Sequence, residues 1–321
     1  MSERLPARLE RSVTDAERQA FAEDGVVLLK DIYPADWVEC LRSELDDVFR
    51  QSELRTAFAG SVLDGDSSQG ASSDMVKVLE DTLKYASADA IAIEGDVTET
   101  PTGRSIVETD ASSWHEGMRA HNTEGPLPEL LHQLTGSDRI NFYSDQLFLK
   151  EPGSRVKTPF HQDKPYFLVD GGEVAVVWLP VDVVDRENGA MGYVPGSHRW
   201  GKIFKPSDFA TNHGTFPEVG DISLEGLDTL PDDLLDSVEV RYFDAEPGDV
   251  IVHHWATLHG SRGNTSATRT RRAASIRFAL DGCRFYRRPS SPEPFRNTVG
   301  LADGEPLENS ARFPLVWPQT A

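Results

Sequence analysis

His161 and Asp163 stand two residues apart in the stretch Thr158-Pro159-Phe160-His161-Gln162-Asp163-Lys164-Pro165-Tyr166-Phe167. On an extended strand, residues i and i+2 project to one face, so an imidazole and a carboxylate at this spacing can share a metal ion. They make two thirds of a 2-His-1-carboxylate facial triad, the arrangement that leaves one side of a non-haem Fe(II) ion open. With nine His in the chain, about one His-x-Asp pair is expected by chance, so the pair gains meaning from a third ligand. The run Asp249-Val250-Ile251-Val252-His253-His254 leads into Trp255-Ala256-Thr257-Leu258-His259-Gly260-Ser261 and offers three candidates. His253 and His254 point to opposite faces of a strand, so at most one turns inward, while His259 precedes a Gly-Ser turn. Spacing leaves the choice open.

A second chemistry is suggested by charge. Arg269, Arg271, Arg272 and Arg277, followed by Arg284, Arg287 and Arg288, concentrate positive charge in a chain of net charge −21. A guanidinium binds a carboxylate through two parallel hydrogen bonds, so such a cluster is either a set of solvated ion pairs or a pocket for a small anion.

The ordered motifs resemble the phytanoyl-CoA dioxygenase family. Phe160-His161-Gln162-Asp163 is followed by Asn188-Gly189-Ala190-Met191-Gly192-Tyr193-Val194-Pro195-Gly196-Ser197-His198. Pro247-Gly248-Asp249, His259-Gly260-Ser261 and Arg271-Arg272-Ala273-Ala274-Ser275 come next. The likeness is specific from about residue 141 to 280. It implies an Fe(II)- and 2-oxoglutarate-dependent dioxygenase on a double-stranded β-helix, with His161, Asp163 and His259 as metal ligands and O2 as co-reactant. It implies that Arg271 grips the far carboxylate of 2-oxoglutarate, with Arg269, Arg272 and Arg277 as rivals. Ser261, Gln162, Trp178 and Gln146 match positions near the cosubstrate. His198 belongs to the family pattern but reads as structural. The implied reaction is hydroxylation of an unactivated C–H of a small-molecule metabolite, with release of succinate and CO2. Because Asp163 fills the position that is Gly or Ala in related halogenating enzymes, halide transfer is disfavoured and desaturation or epimerisation are the other oxidations in view. Lys164, Tyr166, Trp114 and His115 are candidate substrate contacts. A cupin-like metal enzyme that does without 2-oxoglutarate, such as a dioxygenase or isomerase, and a non-catalytic binding module are the competing readings.

The elements that must position these groups are short strands. Residues 141–150, 174–180, 191–194, 238–243, 249–254 and 275–280 are rich in β-branched or aromatic residues and bounded by Pro-Gly, Asn-Gly and Gly-Gly turns. Helices gather at the N-terminus. Thr14 and Glu17 form a capping box with Gly25 as the stop, Val26-Val27-Leu28-Leu29 reads as a buried strand, and Pro34 opens a helix with Val38, Leu41, Leu45, Val48 and Phe49 on one face. The expected fold is mainly β (α+β), a double-stranded β-helix (jelly roll, cupin-like) flanked by N-terminal helices. It is read as one domain over residues 1–321, with a helix-strand-helix over 14–50, an insertion or lid over 51–126 and the β-helix core over 141–280.

The bulk properties exclude partners more than they identify one. The strong negative charge opposes nucleic acid and anionic membranes at long range. No run approaches the length of a membrane span and the N-terminus carries no apolar leader pattern, so the expectation is a cytoplasmic protein. Two distant cysteines, Cys40 and Cys283, suit a reducing compartment.

Overall fold

The computed structural model describes residues 5–63, 102–206, 223–291 and 299–318. Half of the expected insertion, residues 64–101, lies outside the described residues, and for 53–63 the backbone alone is described.

The N-terminal helix α1 (Asp15–Asp24) forms where its caps dictate. Thr14 accepts from the Glu17 backbone N–H at 3.3 Å, Glu17 returns the bond by accepting from the Thr14 N–H at 2.8 Å, and Gly25 ends the helix at φ 70°. Strand β1 (Val26–Leu29) follows, then α2 (Ala35–Leu63). The expected end of α2 near residue 50 falls short, because no Gly or Pro interrupts the chain before Gly60. The next described strand, β2 (Ser105–Thr109), and α3 (Glu116–Glu124) fall in the described part of 51–126, and α4 (Leu127–Thr135) follows them. Strand β2 pairs along its length with β3 (Ile140–Lys150).

The remaining strands are β4 (Thr158–His161), β5 (Val169–Asp170), β6 (Val174–Pro180), β7 (Met191–Tyr193), β8 (Arg241–Tyr242), β9 (Val250–His254), β10 (His259–Ser261), β11 (Arg271–Ala279), β12 (Arg284–Phe285) and β13 (Leu315–Trp317); a single turn of helix, α5 (Leu234–Ser237), precedes β8. The large sheet has the order β1-β9-β6-β11-β3-β13, with β2 also on β3; a four-stranded sheet has the order β4-β10-β7-β8; β12 and β5 form a two-stranded ribbon. The strand pairs are antiparallel.

Both faces of the large sheet are covered, which is why β6 reads as a continuous apolar run. Ala175, Val177 and Leu179 of β6, Val250 and Val252 of β9, and Ala274, Ile276 and Phe278 of β11 pack in one cluster with the apolar faces of α2 and α4. The alternate residues Trp178, Ile251 and Ala273 turn the other way and meet Met191 and Tyr193 of the small sheet. Strand alternation therefore defines an inner face, enclosed between the two sheets, on which β11 places Arg271, Ala273, Ser275 and Arg277.

Candidate metal centre

Antiparallel register, not sequence proximity, creates the centre. His161 at the end of β4 is the direct cross-strand partner of His259 at the start of β10, and their rings lie 4.3 Å apart. Asp163 reaches them differently from the i, i+2 expectation. The strand ends at His161, and the turn that follows is pinned by the Asp163 and Lys164 N–H groups, which donate to the Trp255 carbonyl at 2.8 and 2.9 Å. This turn, rather than strand alternation, brings the carboxylate over. One donor atom from each of His161, Asp163 and His259 lies within 4.8 Å of the others, and all three residues are buried.

The imidazoles are held in a useful tautomer. His161 Nδ1 donates to the Pro159 carbonyl and His259 Nδ1 to the Thr257 carbonyl, each at 2.9 Å, so the Nε2 atoms are directed toward Asp163 Oδ1, at 3.4 and 3.9 Å. Burial alone would raise the Asp163 carboxyl. The neighbouring His259, the His161 and His253 rings beside the carboxylate, and the charge of Arg277 outweigh it and hold the group well below the usual carboxylate range. Burial, with His161 and His253 alongside, pushes His259 well down, which favours the neutral imidazole that a metal requires.

His253 is the inward residue of the pair on β9. Its Nε2 lies 3.6 Å from Asp163 Oδ2, its ring is 4.3 Å from that of His259 and 5.2 Å from that of Tyr193, and both ring nitrogens are buried without a hydrogen-bond partner. His254 faces the opposite way and meets Glu173 at 2.7 Å. His198 sits beside His254 in its turn, with ring centroids 5.2 Å apart.

Of the four arginines, two are removed from contention by their partners. Arg269 pairs with Asp185 and Glu187, and Arg272 with Asp182 and Asp46, in partly exposed ion pairs. Arg271 is 1 % exposed and its guanidinium lies 5.4 Å from the Trp178 ring. It donates once, to the Gly189 carbonyl at 2.8 Å, and burial pushes its pKa down to about 10. Its Nε and Nη1, the Trp178 Nε1 and the Tyr193 hydroxyl are all buried without a hydrogen-bond partner. Each orphan of this kind costs about 1–3 kcal/mol. A dicarboxylate placed here would satisfy them.

Ser261 accepts from Lys150 Nζ at 2.9 Å and donates to Thr158 Oγ1 at 3.1 Å, at the Arg271 end of the inner face, where Lys150 and Arg271 are cross-strand partners. Gln146 lies on the same face and accepts from Arg277 Nη2 at 2.7 Å. Gln162 departs from expectation. Its amide donates to the Ala256 and Lys202 carbonyls and accepts from the Phe204 N–H, so it clamps backbone segments and has no N–H left to give a cosubstrate. Trp114 and His115 also depart: Trp114 packs on the cluster beneath the helices, and His115 caps α3 and bonds Asp47 of α2 at 3.0 Å, on the far side of the large sheet from Arg271. An aromatic-plus-His pair looks alike in sequence whether it lines a pocket or caps a helix. Tyr166 keeps its place at the site, half-buried with its ring 6.0 Å from that of His161. Lys164 is drawn aside onto the Trp255 ring, at 4.9 Å. Lys150 and Tyr193 escaped the sequence reading, which left open whether His253 or His254 turns inward; the cross-strand pairing of Lys150 with Arg271 and of Tyr193 with His259 finds them once register is known.

The chain is similar to proteins whose named activities fit such a centre. It is 30 % identical over 165 residues to a probable alpha-ketoglutarate-dependent hypophosphite dioxygenase of Stutzerimonas stutzeri, covering 50 % of this chain and 54 % of that protein. It is 28 % identical over 204 residues to the peroxisomal phytanoyl-CoA dioxygenase of Homo sapiens, covering 60 % and 56 %. The chain thus spans about half the length of these curated relatives. Among solved structures, the alpha-ketoglutarate-dependent carbocyclase SnoK of nogalamycin biosynthesis superposes with a TM-score of 0.62 at 19 % identity, over 95 % of this chain and 96 % of that one. EctD from S. alaskensis, with 2-oxoglutarate and 5-hydroxyectoine, gives 0.55 at 19 % identity, over 94 % and 90 %. These likenesses establish a shared fold. The sequence model of phytanoyl-CoA dioxygenase (PhyH) matches residues 21–273, both imidazoles, the carboxylate and Arg271 among them, and the chain belongs to that family.

Proposed function

We propose that this protein is an Fe(II)- and 2-oxoglutarate-dependent oxygenase that hydroxylates an unactivated C–H of a small-molecule metabolite, on a single domain whose two sheets form a double-stranded β-helix. The observation that carries this reading is the coincidence, on one inner face, of a buried His-Asp-His donor set and a buried arginine surrounded by orphan hydrogen-bond donors. His161, Asp163 and His259 would hold the metal, with His161 and His259 presenting Nε2 and Asp163 presenting Oδ1. When bound, the metal and 2-oxoglutarate supply oxidative decarboxylation to succinate and CO2 and the oxidising equivalents that the protein itself lacks.

The chain's own residues do the rest. Arg271 receives the distal carboxylate through Nε and Nη1, and Tyr193 and Trp178 donate beside it. Lys150 and Ser261 add positive charge and a hydroxyl at the same end. The aliphatic and aromatic inner face, with Ile251, Ala273 and Met191, excludes water around the reacting groups. Tyr166 at the rim is placed to meet substrate.

Anaerobic addition of Fe(II) and 2-oxoglutarate tests the reading. A weak visible charge-transfer band is expected in the wild type and should be lost in His259→Ala and Asp163→Ala. Arg271→Gln should weaken 2-oxoglutarate at least 10-fold while Arg269→Gln leaves it unchanged. A wild-type protein that binds Fe(II) yet shows no band and forms no succinate in air would refute the assignment, in favour of a metal enzyme without this cosubstrate.

A further inference from the structure

We propose that Arg277 is the anchor for an anionic group on the substrate, so that this protein acts on carboxylate-, phosphonate- or phosphate-bearing small molecules; the inference rests on the oxygenase reading of the same site.

Arg277 shares the inner face of β11 with Arg271, six residues away on an unbroken strand. The register gives the two different depths. Arg271 pairs with Lys150 at one end, whereas Arg277 pairs with Val176, and Val176 in turn with His253, the residue beside Asp163 and His259. At about 3.4 Å per residue the two backbones are about 20 Å apart, so Arg277 lies at the register of His253 and Arg271 at that of Lys150.

Its present partners do not satisfy it. Arg277 is 7 % exposed, and its guanidinium donates to the neutral Gln146 Oε1 at 2.7 Å and to the Ser275 carbonyl at a long 3.5 Å, while Nε has no partner. Asp163 and Asp145 both feel its charge, but neither forms an ion pair or hydrogen bond with it. A buried cation left with neutral partners is costly unless an anion completes it.

Charge counting on the inner face points the same way. The strand positions of the two inner faces among the described residues hold Lys150, Arg271, Arg277 and, on the edge strand β8, Arg241, which is already paired with Asp24 and Glu239, and no Asp or Glu; Asp163 in the turn supplies the carboxylate. With Fe(II) and the dianion of 2-oxoglutarate in place, positive charge still exceeds negative. A third party with negative charge balances the pocket. The other cations near the rim are already served. Lys164 and Arg288 both lie over the Trp255 ring, but Lys164 acts on Glu173 and Arg288 lies 3.8 Å from Asp170. Arg277 lies over Phe167, at 5.7 Å, whose ring stacks toward Trp255. The anion's neighbour is thus an aromatic wall, which suits an acid carried on an apolar body.

The test is a titration of the anaerobic Fe(II)·2-oxoglutarate protein with matched pairs, acetate against acetamide and hexanoate against hexanamide, read by calorimetry. The wild type should bind the acid of at least one pair at least 10-fold more tightly than its amide. Arg277→Gln should abolish that preference with the 2-oxoglutarate Kd unchanged, and Arg277→Lys should retain part of it. Equal or undetectable binding of acid and amide by the wild type overturns the inference without recourse to any variant. So does a preference that survives Arg277→Gln, or an Arg277→Gln protein that loses 2-oxoglutarate instead, which would make Arg277 a cosubstrate contact. Failure of the charge-transfer band to form at all would be a failure of the oxygenase reading, and is seen before any acid is added.

Discussion

His253 illustrates how a residue can serve a site at the expense of the empty protein. Its ring fills space beside Asp163, yet neither nitrogen finds a hydrogen bond in the protein without metal. Replacing a buried unsatisfied polar ring by an apolar one of similar shape removes a desolvation penalty, so His253→Phe should raise the stability of the metal-free protein by about 1 kcal/mol. The same change removes the group facing Asp163 Oδ2, and outer partners of a ligand are commonly worth about 10–100-fold in metal affinity. The expected result is a higher melting temperature without metal together with a weaker Co(II) or Fe(II) titration. A variant that loses stability and keeps its affinity would show that His253 is a packing residue.

At the scale of elements, the closeness of two strands fixes the centre. A Cβ on Gly260 would meet Phe160 Cδ2 and the Thr158 carbonyl, both at 2.8 Å, so β10 can lie against β4 only because residue 260 has no side chain. Gly260→Ala should therefore separate His259 from His161 and lower metal affinity at least 10-fold, although neither ligand is changed; equilibrium dialysis with Mn(II) measures it.

A second element-level device joins helices to sheet. Asp145 of β3 accepts from the Ser112 N–H and from Asn122 Nδ2, Asn122 Oδ1 meets His121 Nδ1 at 2.8 Å, and His121 Nε2 meets the Tyr33 hydroxyl at 2.9 Å. Burial raises Asp145 to about 6 and lowers His121 to about 4. The signs oppose. For Asp145 the folded pKa lies above the unfolded value, so its contribution is present below about pH 4 and is lost as pH rises through about 6. For His121 the folded value is depressed, so its contribution is present above about pH 6.5 and is lost as pH falls toward 4. In the wild type the two slopes largely offset between pH 4 and 6. Asp145→Asn removes one of them, and the difference between variant and wild-type stability should change by about 2–3 kcal/mol across that window. Urea unfolding at a series of pH values reads this directly; parallel profiles would mean that Asp145 does not titrate in the folded state.

For the whole molecule, the unmet polar groups on the inner face make folding and ligand binding one equilibrium. Arg271, Tyr193, Trp178, His253 and Arg277 all carry buried atoms without partners. Ligands that complete them bind the folded chain and not the unfolded one, so loading should stabilise by about 2.7 kcal/mol at 100 times Kd. Thermal unfolding with Mn(II) and 2-oxoglutarate against the same protein in chelator measures it, and identical melting temperatures would contradict the arrangement. The net charge of −21 surrounds this cationic interior, so the proposed binding of small anions would be a local property of the pocket and not of the surface.

The sequence by itself determined what depends on local chemistry. The capping box at Thr14 and Glu17, the Gly25 stop, the buried run of β6 and the turn glycines each follow from forces acting within a few residues, and the expected strands stand close to where composition put them. Spacing singled out His161 and Asp163 but left His253, His254 and His259 open; the family resemblance carried by motifs in fixed order pointed to His259 and Arg271. Tertiary structure decided everything that depends on register. It showed that Asp163 joins His161 by a turn pinned to Trp255, that His253 rather than His254 faces inward, and that Arg269 and Arg272 belong to surface ion pairs. It withdrew Gln162, Trp114 and His115, whose polar atoms hold backbone and helix instead, and it brought Lys150 and Arg277 onto the face with Arg271. The physical reason is the two-residue period of a strand. A shift of one residue sends a side chain to the opposite face, and which face meets the second sheet is set by partners more than a hundred residues away in the chain.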